Sequence, residues 1–356
     1  MPQLPRGVAR ALITAAMAAA CASACGGART TPPAPERLVW PAPPDSARYE
    51  YVRTLQFVRD VSGHGPSALG RVAAGNDRPI FTRPFGVAAD DTTVLYVADP
   101  IQPGLWKLDL ASGRVEQLGT GGPGAVQRPC CLAVSRDRRL FVSDPDAARV
   151  VVFDSAGHFL MALGGRAALG RPGGIAFDSE RGRVYVADME QHRVVVFDLA
   201  SGERLSEFGR RGSREGDFNV PIDVAVDSAG RVYVLDAFNF RVQRFTPDGE
   251  FVDAFGEAGD TPGHFARPKG LALDAEGNVY VVDAAFGNIQ VFSPEFELLL
   301  VVGESGSGPG QFQLPAGIAI ACGHRIYVAD GLNARIQVLE RLGGASTCEP
   351  TPESPR

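Results

Sequence analysis

Six aspartates are the residues whose type and spacing could do chemistry. Asp99, Asp144, Asp188, Asp236, Asp283 and Asp330 each close a short apolar run: LYVAD, LFVSD, VYVAD, VYVLD, VYVVD and IYVAD. Such an array could hold metal or serve acid–base catalysis. Its regularity argues against that, because a catalytic group is needed once or twice, not at every turn of a repeat. An aspartate at a strand end readily accepts backbone N–H bonds in the turn that follows. It can also pair with an arginine five residues on, as Arg149, Arg193, Arg241 and Arg335 would allow. The spacing predicts a framework role for both sets.

The histidines are His64, His158, His192, His264 and His324. A metal over a channel needs about three convergent ligands. Only His192 falls in a loop on the face where the repeats begin, with His64 in an insertion (59–83) that could fold over it. No HExxH, GxSxG, P-loop or CxxC motif occurs. The sequence therefore assigns no catalytic residue, no metal ligand and no cofactor.

The elements that position these residues repeat. A proline-led start followed by an apolar strand recurs at Pro84, Pro129, Pro172, Pro221, Pro268 and Pro315, at intervals of 43 to 49 residues. Each start leads to the strand ending in aspartate, then to a third strand, and in most units to a fourth that ends in glycine. These strands are short, rich in Val, Tyr, Phe and Ile, and separated by turn residues. No stretch of useful length has helical periodicity. Four antiparallel strands per unit, six times over, predict an all-β, six-bladed β-propeller.

Here the residues resemble a known family. PKGLALD…VYVVDAAFGNIQVF and PAGIAIA…IYVADGLNARIQVL look like NHL repeats, and the pattern runs over about 84–340. WPAPPDSARYEYVRTLQ ahead of RPFGVAADD further resembles exported bacterial NHL-repeat lipoproteins. The resemblance implies a propeller that contacts proteins or other macromolecules. It also implies a rival, since the architecture is similar to peptidyl-hydroxyglycine (amidoglycolate) lyases and, more remotely, to gluconolactonase-type hydrolases. Those would need Ca or Zn at the channel mouth.

The sixth unit lacks a fourth strand. An open ring would leave a bare strand edge, which natural proteins avoid. RYEYVRTLQFV (48–58) has the alternation to fill the gap and is expected to close the ring as the outer strand of the last blade. The propeller then spans 48–340, with a tail over 341–356. Cys322 and Cys348 are expected to pair across the last blade, two free thiols being the alternative.

Departures from the repeat mark candidate binding positions. Most starts carry glycine two residues after the proline, but Cys131 and Asp223 occupy that place in the second and fourth units. Cys130 and Cys131 could be a vicinal disulfide, a thiol metal site or two small fillers. On the same face the loops after the aspartates carry Met189, His192, Phe238, Phe240 and Phe286, and the starts add Phe85 and Lys269. An aromatic patch with few charges suits a protein or peptide partner. Packing against the next blade is the alternative.

At the N-terminus, Arg6 and Arg10 precede fourteen mostly small apolar residues, Ala11–Ala24, and then Cys25. That run is shorter than the ~20 residues a spanning helix needs. It reads as a secretory signal over 1–24. Small residues before a cysteine look like a lipobox, which makes Cys25 the expected lipidated residue. Plain signal cleavage is the alternative. Residues 25–47 are Pro-rich and suit a tether. The chain of 356 residues carries 35 Lys and Arg against 41 Asp and Glu, a net charge of −6. No basic footprint for nucleic acid is evident. The sequence thus reads as a monomeric, exported, lipid-anchored binding propeller at the periplasmic or cell-surface side of a membrane.

Overall fold

The computed structural model describes residues 37–62, 78–90, 93–321 and 324–343. Six antiparallel sheets stand around a channel. Their innermost strands are Gly86–Ala89, Leu132–Val134, Pro172–Asp178, Pro221–Val226, Pro268–Leu273 and Pro315–Ala321. Burial follows the distance from the axis. In blade 4 the second strand, Val232–Asp236, is buried at every residue, whereas the outer strand, Phe251–Phe255, alternates between half-buried and exposed. A strand packed between neighbouring blades on both faces needs a continuous apolar run, and one with a wet face needs alternation.

The ring closes as expected. Tyr49–Leu55 lies antiparallel on Arg335–Arg341, in register from Tyr49 opposite Arg341 to Leu55 opposite Ile336. Tyr49 also packs into the core between blades 5 and 6, where its hydroxyl lies 2.9 Å from that of Tyr280. Val39–Trp40, within the Pro-rich segment, adds a fifth strand outside it.

Between blades the Gly-x-Phe loops supply buried plugs. Phe218, Phe265 and Phe312 are wholly buried. The glycine that ends the preceding outer strand makes room for each ring. A Cβ on Gly209, Gly256 or Gly303 would lie 2.2, 2.4 or 2.5 Å from a carbon of that phenyl, and φ is positive at all three. A buried glutamine in the third strand ties each loop down. Gln337, for example, accepts from Gly310 N–H at 2.8 Å and donates to the Gln311 carbonyl at 2.6 Å. Gln243 and Gln290 do the same in blades 4 and 5.

The aspartates serve the framework. All six are wholly buried. Each accepts from backbone N–H groups of the segment that leads into its own blade, 16 to 18 residues earlier: Asp99 from Thr82 and Arg83, Asp188 from Gly170 and Arg171, Asp283 from Ala266 and Arg267. Asp236 and Asp330 further receive Arg241 and Arg335 at 3.0 and 2.7 Å. Burial pushes the Asp236 carboxyl above its ordinary range, against the bonds from Asn239, Asn219 and Arg241 that favour its charge. Cys25, His64, Cys322 and Cys348 lie outside the described residues, so the lipidation site and the expected disulfide do too.

Candidate functional site

The innermost strands crowd the axis. A Cβ on Gly86 would lie 2.2 Å from the Cys130 carbonyl oxygen, and one on Gly270 would lie 2.3 Å from that of Ala316. Neither glycine has a positive φ, so close approach of the neighbouring blade, and not a special backbone conformation, requires it.

Where a side chain fills the slot, it enters the channel. Asp223 lies across Gly174, whose Cβ would come within 2.1 Å of its Oδ1. Its other oxygen accepts from Leu271 N–H of blade 5 at 2.9 Å. Burial pushes this carboxyl up to about 7, although two backbone N–H bonds oppose the shift. Cys131 lines the same channel as Asp223 and Lys269, and its contact with Cys130 and burial push its thiol well up. Both cysteines are free thiols, each partly exposed.

Above this channel, on the face of the proline-led starts, opens a cavity of about 410 Å³. Its walls carry Met189, Val220, Ile222, Phe238 and Ile101, with Pro100 and Pro145. Phe85, Cys131 and Lys269 line both the cavity and the channel of about 300 Å³ below it, so they form the neck between the two. Arg83, Arg128 and Arg171 stand around the same cavity, and no acidic side chain lines it.

Five of the nine sequence-selected positions therefore meet here: Phe85, Cys131, Met189, Phe238 and Lys269. Asp223 sits below them on the channel wall. The other three lie elsewhere. His192 and Phe240 occupy the left-handed position of the turn before the third strand, at φ 55° and 56°, as do Ala148 and Ala334. From there the Phe240 ring packs into the core between blades 4 and 5. The His192 ring uses Nδ1 to accept from Val220 N–H at 3.0 Å. Phe286 is half-buried outside the cavity, with its N–H donated to Asp283. Of the remaining described histidines, His158 meets Asp154, His264 meets Glu257, and His324 is buried. Among the described residues, no three His, Cys, Asp or Glu side chains are grouped as a metal-ligand set.

The arginines at the mouth were overlooked in the sequence, yet they carry a signal there. Arginine directly precedes the starting proline in four units, as Arg83, Arg128, Arg171 and Arg267. Their backbone positions are set by the framework aspartates, which leaves the guanidinium groups at the face.

Three segments, 169–197, 218–245 and 312–339, match the NHL repeat. The chain is a six-bladed β-propeller that carries NHL repeats. Its fold is similar to a structural-genomics protein of unknown function from Bacteroides thetaiotaomicron, at 18% identity and a TM-score of 0.60, over 74% of this chain and 71% of that one. An auxiliary nutrient binding protein from Bacteroides ovatus gives 14% identity and a TM-score of 0.57, again over 74% and 71%. Virginiamycin B lyase from Staphylococcus aureus gives 14% identity and 0.55, over 83% of this chain and all of that one. At these identities the likeness is one of fold, which hosts both binding and catalysis.

Proposed function

We propose that this protein is a non-enzymatic binding propeller, exported and held to a membrane by a lipid on Cys25, which captures its partner on the face of the proline-led starts. The mouth cavity carries the reading. It is concave, mostly apolar and within the ~300–1,000 Å³ range of ligand sites. Phe238 and Ile101 at its rim are 61% and 58% exposed, the two most exposed large apolar side chains among the described residues, and both line this one cavity. A protein or peptide partner could bury that rim and place one side chain in the cavity. The Bacteroides neighbours described as nutrient binding proteins agree with a capture role. No helix among the described residues is long and apolar enough to cross a membrane.

Affinity selection tests this reading. The full chain is immobilised and exposed to an extract of the exported fraction, and retained species are identified by mass spectrometry. A set of species retained by the wild type and lost with Phe238→Glu and Met189→Trp is expected. Retention of the same set by both proteins would move the site off this face.

A further inference from the structure

We infer that the mouth cavity takes an organic anion with an apolar body, its charged group seated at the neck beside Lys269 and flanked by Arg83 and Arg171. The inference rests on the mouth being the capture face and adds the chemistry of what is captured.

Charge is the first argument. The protein is acidic overall, at −6, yet the cavity is lined by four cations and no acid. Arg128 has a distant partner in Asp146 at 3.5 Å. Asp146 and Glu190 line the adjoining outer groove, not the cavity. The side chains of Arg83, Arg171 and Lys269 make no ion pair or hydrogen bond among the described residues. That contrasts with Arg241 and Arg335, whose guanidinium groups are spent on Asp236, Asp330 and loop carbonyls. Lys269 is half-buried, and a cation so placed without a partner carries a desolvation cost that an incoming anion would offset, while Arg83 and Arg171 stand exposed at the mouth and add their charge there.

Position is the second argument. Lys269 borders both the cavity and the channel beneath, so an anion at its ammonium would sit at the bottom of the mouth. Burial and the nearby Arg267 pull the Lys269 ammonium below the ordinary lysine range. A bound carboxylate or similar group would reverse that. Above the neck the walls are apolar, with Met189, Ile222 and Phe238 facing the same space. An inorganic anion would leave those walls wet, and an uncharged hydrophobe would leave the cations unpaired. An anionic head on an apolar body satisfies both.

The test uses two fluorescent probes with nearly the same aromatic body, anilinonaphthalene sulfonate and the uncharged N-phenylnaphthylamine. The sulfonate is expected to bind at least ~10-fold tighter, the equivalent of one charge-assisted contact. Added salt should weaken it. Lys269→Met with Arg171→Ala should erase the margin and leave the neutral probe unaffected. Should the Lys269 variant not fold, Arg83→Ala with Arg171→Ala, both at exposed side chains, carries the same test. Equal affinity for the two probes, or a margin that survives in the variant, overturns the inference while leaving the capture face standing. Failure of both probes to bind overturns the inference, and the affinity selection with Phe238→Glu and Met189→Trp then decides separately whether the capture face stands. Displacement of the sulfonate by decanoate would point to a free amphiphile, and displacement by a short peptide ending in Phe with a free carboxylate would point to a chain terminus. Equal displacement by decanol or by the amidated peptide overturns the anionic requirement.

Discussion

Two rings of ionisable side chains run round this disc with the same blade period, and they do opposite things. The aspartate ring, at the ends of the second strands, is wholly buried and fully engaged with backbone N–H groups. The arginine ring, one residue before the starting prolines, occurs in four blades, and Arg83, Arg171 and Arg267 are exposed with no partner for their side chains among the described residues. The rings are coupled, since the aspartates accept from the backbone N–H of those same arginines. A repeating charge is therefore not by itself framework or site. What separates the two is whether its hydrogen bonds are already made.

The largest effect should come from breaking the aspartate ring. Asp236→Ala leaves Asn219 N–H, Asn239, Arg241 and Gln243 without their shared acceptor. Removing one partner of a buried, hydrogen-bonded pair costs about 3–5 kcal/mol, and chemical denaturation would measure it. A loss below about 1 kcal/mol would mean that the carboxylate is not structural.

A smaller effect, with a sign set by pH, is expected at Asp223. Its carboxyl titrates at about 7 in the folded protein against 3.8 ordinarily. The folded state therefore holds a proton that the unfolded state releases across that window. The resulting stabilisation is full below about pH 4 and is lost as pH rises through about 7, amounting to a few kcal/mol at most. Asp223→Asn should flatten this slope between about pH 4 and 7 in melting experiments. An unchanged slope would show that the carboxylate is not held in the channel as described.

The smallest effect should come from the arginine ring. Arg171→Ala removes no hydrogen bond made by the side chain and should change stability by less than about 0.5 kcal/mol. A loss approaching that of Asp236→Ala would erase the contrast between the rings.

Much of this was legible in the sequence, for physical reasons. The blades, their number and the closing strand 48–58 follow from apolar runs and turn residues that recur at a fixed interval. The framework aspartates follow from the same recurrence. The mouth was only partly legible. Phe85, Cys131, Met189, Phe238 and Lys269 were found because they sit in starts or in loops after the aspartates. Phe240 and His192 share such loops, but a left-handed turn at φ near 55° aims Phe240 into the core and gives His192 a backbone donor. Loop membership does not reveal that reversal. The arginines recur before the starting proline in four units, but the sequence does not show that the framework aspartates take only their backbone N–H and leave the guanidinium groups at the face. The neck itself, which Lys269 and Cys131 line from different blades, depends on an arrangement of units that no single repeat displays.

Cys130 and Cys131 provide the most direct measurement of where ligand sits, because both are free thiols lining the cavity. Alkylation rates at each, resolved by mass spectrometry, would be compared with and without saturating anilinonaphthalene sulfonate. Binding at the mouth predicts that Cys131, at the neck, is protected by the bound probe and regains its free rate when the probe is displaced. An unchanged rate at both thiols, with probe demonstrably bound, would contradict the assignment of this face as the site.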